Sequence, residues 1–166
     1  DGEIVLFNRS WYNRAGVERV MGFCSEPEYE AFFRDVLAFE RLIAASGTTV
    51  LKFYLDISRD EQARRLADRR TSPLTAWKSS PIDAVALDKW EAYSKARNRM
   101  LAETGSDDLP WRVVAADDKR RTRLTVMAEI LGAVECASID PPALEAFGGR
   151  VRYGQDALEE PGLLSV

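Results

Sequence analysis

Hydrophobic and polar positions along the chain follow two different periods. Short, almost continuous apolar runs are typical of strands covered on both faces of a sheet, and they occupy residues 4–7, 50–57 and 111–116. Longer segments carry apolar residues three and four positions apart, the spacing of one helix face, and they run from 25 to 47, 58 to 70, 83 to 103 and 117 to about 131. The chain therefore predicts strands and helices in alternation.

Polar residues mark where these helices begin. Ser25 with Glu28, and Ser58 with Glu61, have the spacing of a capping box, in which each side chain bonds the other residue's backbone. Asp83 is expected to cap the third helix, which would then continue unbroken to residue 103.

The end of the chain carries two further predictions. The apolar residues of the last helix share one stripe and are expected to pack on the sheet; they are Leu124, Met127, Ala128 and Leu131. From about residue 137 onward, prolines and glycines interrupt a polar tail, which predicts a loosely ordered extension.

The alternation of elements indicates the α/β class. Strands that alternate with helices form a parallel sheet with helices on both faces, a three-layer αβα arrangement. Three strands make a thin sheet for this class, and the first strand follows Asp1 almost immediately. We therefore expect an incomplete piece of a longer sheet, with unpaired strand edges that favour instability or aggregation.

Composition narrows the class of protein. The 166 residues include 46% hydrophobic and 30% charged side chains, as in folded globular domains. No apolar run approaches the ~20 residues of a membrane helix, and two distant cysteines without metal-binding spacing favour a reduced, cytoplasmic setting. The net charge of −4 argues against general nucleic-acid binding. Because histidine is absent, any chemistry depends on carboxylates, Lys, Arg or a bound cation.

The first predicted strand runs directly into a polar loop rich in arginine and asparagine. In α/β enzymes, loops at the carboxyl ends of strands carry ligand-binding groups. Arg9 and Arg14 can form paired hydrogen bonds with phosphate oxygens, and Asn8 and Asn13 can bond phosphate or water. The alternative is a surface loop whose arginines form ordinary ion pairs, but the pattern favours phosphate binding.

Two further basic segments are weaker candidates. Arg69 lies on a basic helix that leads into a segment rich in proline and serine around Lys78, an arrangement typical of a lid over a charged substrate. A solvated helix face paired with neighbouring acids is at least as good an interpretation. Lys119 follows Asp117 and Asp118, whose position before a helix equally fits capping.

Four blocks of sequence, in order, resemble the second polyphosphate kinase family. They are residues 7–18 with 20–24 (FNRSWYNRAGVE and VMGFC), 72–83 (SPLTAWKSSPID), 90–93 (WEAY) and 116–121 (ADDKRR). The resemblance covers about residues 3–134.

This resemblance implies a P-loop kinase-like fold and an activity. The activity is direct, Mg²⁺-dependent transfer of a phosphoryl group between inorganic polyphosphate and ADP, GDP or AMP. The resemblance also implies a catalytic domain over residues 1–136, with a helical lid at about 70–86, before the extension over 137–166. We expect a homo-oligomer in the cytoplasm, without a nucleic-acid or membrane partner.

The resemblance also implies the site residues. The positions that match the family's active-site loop are expected to be catalytic; they are Asn8, Arg9, Asn13, Arg14 and Glu18. Positions in the lid and in the last block are expected to bind polyphosphate or nucleotide; they are Arg69, Lys78, Asp83 and Lys119.

Two departures from the family pattern support an alternative. Asn8 stands where relatives carry Asp, and an amide is a weaker Mg²⁺ ligand than a carboxylate. The sequence also contains no Gly-rich phosphate loop of the G-x-x-x-x-G-K type, which the family carries upstream. The alternative function is a catalytically degenerate half of a duplicated enzyme, which binds polyphosphate or serves assembly.

Asn8 provides a test of the predicted metal position. In an otherwise complete enzyme, Asn8→Asp should raise phosphoryl-transfer activity well above that of the Asn8 form, because a carboxylate holds Mg²⁺ more strongly than an amide. Turnover at matched Mg²⁺ concentration measures the difference. Equal turnover of the two forms would contradict the assignment of Asn8.

Overall fold

The sheet is small and mixed. In the computed structural model, which describes residues 2–74, 76–78, 80–134, 151–153, 156–159 and 164, three strands lie in the order β1-β2-β3. They are β1 (Lys52–Asp56), β2 (Trp111–Ala115) and β3 (Val151–Tyr153). β1 and β2 are parallel, whereas β3 pairs antiparallel with β2. The α/β class is therefore confirmed, and the two strands predicted at residues 50–57 and 111–116 do pair in parallel. The prediction of an all-parallel sheet is wrong, because β3 is antiparallel.

Helices precede and follow β1 and β2. In chain order they are α1 (Arg19–Met21), α2 (Glu26–Ala45), α3 (Arg59–Thr71), α4 (Pro81–Val85), α5 (Trp90–Thr104), α6 (Lys119–Ala133) and α7 (Asp156–Glu159). Shorter turns form Trp11–Asn13, Arg14–Glu18 and Ala76–Lys78. Among the described residues, none of these helices combines the length and apolar character that crossing a membrane requires.

The capping signals locate the helix starts. The Ser25 N–H donates to Glu28 Oε2 at 2.8 Å, completing the predicted capping box of α2. Ser58 caps α3 by accepting the Glu61 N–H at 3.2 Å. The Glu61 carboxylate, however, bonds arginines of its own helix instead of the Ser58 backbone.

The predicted strand over residues 4–7 is wrong. These residues lie outside the sheet, and Leu6 is 82% exposed. A strand is stable only when its backbone groups find partners, and within the described residues the only partner of β1 is β2. The third strand of the sheet comes instead from β3, inside the segment for which a loose extension is predicted.

The predicted helix from 83 to 103 is also wrong. α4 ends at Val85, residues 86–89 form turns, and α5 starts at Trp90. Ser80, rather than Asp83, is the N-cap of α4. Asp83 is the N3 residue of the capping box, and its side chain accepts the Ser80 N–H. The helical spacing of apolar residues continues across the turn, which is why the sequence predicts a single helix.

The inner face of α6 differs from the prediction. Ala128 is buried, but Leu124, Met127 and Leu131 are exposed. The buried side chains of this helix are Thr122, Thr125, Ala128 and Glu129. The apolar and buried stripes differ because Glu129 accepts a hydrogen bond from Arg112 of β2 at 3.1 Å, which turns this polar face toward the sheet.

The core lies between the sheet, α2 and α5. It is built mainly from large apolar side chains of these elements: Tyr29, Phe33 and Val36 of α2, Met100 and Leu101 of α5, and Trp111 and Val113 of β2. Ala157 and Leu164, near the end of the chain, are also buried against it. Part of the predicted extension is thus structured, whereas residues 135–150 lie outside the described residues and the boundary at 136 stays a prediction.

The exposed apolar segment 4–7 provides a test of self-association. Leu6→Lys should reduce heat-induced aggregation, because it interrupts an uncovered apolar run with a charge. Light scattering during heating measures the effect. Leu74→Lys is the matched control, since Leu74 is equally exposed, at 84%, but lies far from this segment in the chain. Equal scattering by both variants would show that residues 4–7 do not drive the aggregation.

Candidate active site

The carboxyl ends of β1 and β2 meet at one edge of the sheet, because the two strands are parallel. The Ala116 N–H donates to the Asp56 carbonyl at 2.7 Å, which extends the pairing one residue beyond β2. Asp117 Oδ1 accepts the N–H of Ser58 at 2.8 Å. The loops that follow the two strands are therefore joined to each other.

Arg65 adds a further link at this edge. Its Nη2 donates to the carbonyl oxygens of Ala116, at 2.7 Å, and Asp117, at 3.1 Å. Its Nε donates to Glu61 at 2.6 Å. Hydrogen bonds from Arg64 and Arg65 lower the pKa of Glu61 to about 2. Arg65 is therefore a structural brace between α3 and the loop that follows β2. It lies on the same basic helix as the predicted lid residue Arg69.

The start of α6 lies at the same edge. Asp118 caps this helix by accepting the backbone N–H groups of Arg120 and Arg121 at 2.9 and 3.1 Å. The capping interpretation of the acidic pair is thus confirmed for Asp118. Lys119 is the first residue of α6 and is exposed, so its charge adds to the positive helix N-terminus.

The predicted active-site loop exposes its first two polar residues. Asn8 and Arg9 are solvent-exposed. Arg9 has a φ of 75° and Ser10 a φ of 52°, a left-handed conformation that non-glycine residues seldom adopt. The Ser10 hydroxyl accepts the N–H of Tyr12 at 3.4 Å, which starts the helical turn Trp11–Asn13.

The second arginine of this loop is held by carboxylates. Arg14 Nε lies 2.7 Å from Glu18, and Arg14 Nη1 lies 3.5 Å from Glu28. Asn13 is half-buried, and its N–H donates to the Ser10 carbonyl at 3.4 Å. The structure thus brings Arg14 and Glu18 together, and the ordinary ion pair that sequence reasoning offered as an alternative is present at Arg14.

The loop also lies beside the N-terminal half of α5. Lys89 Nζ donates to the Val20 carbonyl at 3.3 Å, just before α5. Burial raises the pKa of Tyr93, and the positive charge of nearby Arg9 opposes that increase. Residues 14–21 of the loop therefore pack against α5.

The predicted lid residues form a separate group. Arg69, near the end of α3, lies 2.5 Å from Asp83 of α4, so the two helices are joined across the intervening segment. Lys78 ends the turn Ala76–Lys78, but its side chain lies outside the described residues. Arg69 and Asp83 pair with each other rather than with the loop at residues 8–18.

Sequence reasoning missed a buried polar cluster behind the loop. Glu40 is 0% exposed and Lys52 is 6% exposed, and Lys52 Nζ lies 2.9 Å from Glu40 Oε2. Trp11 Nε1 donates to Glu40 Oε1 at 3.1 Å. Two signals could have found the cluster: Glu40 continues the buried stripe of α2 four residues after Val36, and Lys52 interrupts an apolar strand.

The described residues do not assemble a metal site by themselves. They contain no group of three or more Cys, Asp or Glu side chains arranged to hold a metal ion. Asn8, at the position expected for the metal, offers one neutral amide oxygen. A Mg²⁺ requirement therefore stays a prediction.

Fold and site together define a class of protein. The chain is an α/β protein whose exposed arginine turn, braced arginines and helix N-terminus offer groups suited to phosphate. Comparison with known proteins identifies the family: the profile "Polyphosphate kinase 2 (PPK2)" matches residues 1–142. The chain belongs to this family, as its four sequence blocks predict.

Individual relatives agree with this assignment. The chain is 50% identical over 141 residues to the ADP-polyphosphate phosphotransferase of Pseudomonas aeruginosa, covering 85% of this chain and 46% of the relative. It is 48% identical over 134 residues to the GDP-polyphosphate phosphotransferase of the same organism, covering 81% and 38%. The structure is similar to the crystal structure of polyphosphate kinase 2 from Arthrobacter aurescens, with a TM-score of 0.69, 32% identity and coverage of 80% and 47%. The chain spans about half or less of the length of these relatives.

Glu61 provides a pH test of the brace at the strand-end edge. A carboxylate with a depressed pKa stabilises the fold at pH values above its unfolded pKa. For Glu61 this stabilisation is lost as the pH falls from 4.5 toward about 2. Glu61→Gln should therefore flatten the acid decline in unfolding midpoint over this window. Denaturant titrations at a series of pH values measure it. Glu91→Gln, a change of an exposed acid in α5, should leave the decline intact; a flattening by both variants would contradict the brace.

Proposed function

We propose that this chain takes part in direct phosphoryl transfer between inorganic polyphosphate and a nucleoside di- or monophosphate. Membership in the polyphosphate kinase 2 family carries the proposal. The relatives described above are named for ADP and for GDP, so both nucleotides are candidate acceptors, together with AMP. Such a reaction needs groups that position phosphates and neutralise their charge rather than a covalent intermediate, which agrees with a chain that lacks histidine.

The loop residues have distinct roles in this proposal. Arg9, exposed at the turn, contacts phosphate oxygens directly. Arg14 presents a guanidinium whose orientation Glu18 holds through the 2.7 Å ion pair. Asn8 and Asn13 donate amide hydrogens to phosphate or to water around it.

The other candidate residues recognise the remainder of the polyanion. Lys119, at the N-terminus of α6, adds charge where a helix dipole already favours an anion. The ion pair of Arg69 with Asp83 joins α3 to α4 and sets the position of the intervening segment that carries Lys78. Opening of that pair would make the Arg69 charge available to phosphate, as expected of a lid.

Mg²⁺ enters this proposal as a partner of the phosphates. It binds polyphosphate and nucleotides through their oxygens, and the amide of Asn8 is the ligand that the family resemblance implies from this chain. Assembly into a homo-oligomer and a cytoplasmic location complete the proposal and stay predictions.

A second function is favoured by one observation. Asn8 replaces the acid that the family pattern places at the metal position, which supports a module that binds polyphosphate without turning it over. The relatives described above are named as phosphotransferases, which supports the enzyme.

An assay of an otherwise complete enzyme that contains this chain distinguishes these functions, because the 166 residues alone, which carry no Gly-rich phosphate loop, are expected to be inactive. Incubation with polyphosphate, Mg²⁺ and either ADP or GDP should yield ATP or GTP, measured by nucleotide chromatography. Arg9→Ala should lower the rate by about tenfold or more, the loss of a charge-assisted contact worth roughly 1.5–3 kcal/mol. Arg34→Ala, an exposed arginine of α2, is the matched control and should leave the rate unchanged.

The outcomes separate the candidate functions. Product formation that depends on Arg9 supports the transferase. Binding of polyphosphate without product supports the degenerate module. Absence of both binding and product contradicts the proposed function.

A further inference from the structure

The turn that carries Arg9 is strained. Arg9 and Ser10 are consecutive non-glycine residues with positive φ, and Ser10 combines its φ of 52° with a ψ of −158°. Such conformations are unfavourable for residues with a side chain and persist only where surrounding structure holds them. Something in the fold must therefore hold the chain immediately after Ser10.

Trp11 and Tyr12 anchor the chain on that side. The Trp11 ring packs edge-on against Phe39 of α2, with ring centroids 5.1 Å apart. The buried Tyr12 ring packs against Trp111 of β2, with centroids 4.6 Å apart. These contacts give the anchor its apolar part.

Glu40 gives the anchor its direction. Its Oε1 accepts the Trp11 indole N–H at 3.1 Å, which fixes the rotation of the ring as well as its depth. Burial raises the pKa of Tyr12, and the nearby Glu40 carboxylate adds to the increase, as expected if Glu40 lies beside both aromatic residues. The buried carboxylate thus contacts the residue that directly follows the strained turn.

Lys52 completes the cluster. Its Nζ lies 2.9 Å from Glu40 Oε2 and donates to the Thr104 carbonyl at 2.7 Å. The ammonium also lies 5.2 Å from the Trp111 ring centroid, within range of a cation–π interaction. Each charge is therefore compensated, as a buried charge must be.

Stability alone does not account for this pair. A buried ion pair is often no more stabilising than apolar side chains of the same volume, because desolvation offsets the attraction. Here one member of the pair makes a directional hydrogen bond to the residue that follows the strained turn. The geometry therefore indicates that the ion pair orients the Trp11 side chain.

We propose that Glu40 and Lys52 are positioning residues, whose buried ion pair fixes Trp11 and thereby holds the Arg9–Ser10 turn in the conformation that presents Arg9 to phosphate. This inference rests on the proposed function for the identity of the ligand. Its structural part, the dependence of the turn on Glu40, stands independently of that function.

A double-mutant cycle tests whether Glu40 acts through Arg9. The full chain is compared with Glu40→Gln, Arg9→Ala and the double variant, and affinity for inorganic polyphosphate of defined length is measured by titration calorimetry. Glu40→Gln should weaken binding about fivefold and Arg9→Ala about tenfold. The double variant should have the same affinity as Arg9→Ala alone, because the conformation of the turn no longer affects polyphosphate binding once Arg9 is absent.

A second readout follows the anchor itself. The indole N–H resonance of Trp11 in a ¹⁵N-labelled chain, assigned with Trp11→Phe, should shift in Glu40→Gln. Asp108→Asn is the matched control, because it makes the same change of charge in the exposed ion pair with Arg41. It should leave both the resonance and the polyphosphate affinity unchanged.

The outcomes separate positioning from stability. Additive losses in the cycle, or a lower unfolding midpoint in Glu40→Gln with unchanged affinity, would show a merely structural role and overturn the inference. If Glu40→Gln does not fold, Trp11→Phe replaces it in the cycle, since this change removes the indole donor while both members of the ion pair stay in place. If the unmodified chain does not bind polyphosphate, the proposed function fails. The anchor is then judged by the Trp11 resonance, where an unchanged signal in Glu40→Gln overturns it.

Discussion

Four parts of the chain meet at the Glu40–Lys52 ion pair. Glu40 comes from α2 and Lys52 from β1, while Thr104 at the end of α5 and Trp11 of the loop supply the remaining hydrogen bonds. Because a buried charge is tolerated only when it is compensated, these elements keep fixed positions relative to one another. The loop that carries the candidate phosphate-binding residues is therefore held from the core through Trp11, in addition to the contacts within the loop itself.

A second constraint is the parallel pairing of β1 and β2, which places both strand-end loops at one edge. Arg65 and Asp117 join these loops, and α6 starts beside them. The candidate cations then fall into two kinds: Arg9 and Lys119 are exposed, whereas Arg14 and Arg69 are braced by carboxylates. A polyanion would meet both exposed charges and braced ones, which suits a reaction that depends on placement of phosphates.

Local signals predicted the elements that local interactions form. The capping box of Ser25 located α2, Ser58 located α3, and apolar runs located β1 and β2. Two of the predictions that were wrong concerned partners. Residues 4–7 have strand composition but no strand beside them among the described residues, and the apolar stripe of α6 is exposed because Glu129 pairs with Arg112 on the other face.

The sequence by itself determined the family and the α/β class and predicted candidate site residues, because capping motifs, periodicity and the four blocks are properties of neighbouring positions. Only the tertiary structure decided that Arg14 also contacts Glu28, that Arg69 pairs with Asp83, and that Glu40 and Lys52 lie behind the loop. These contacts join residues whose separation along the chain carries no signal of their distance in space. The free energy of burying a charge, which selects its partners, arises only once the core has closed around it.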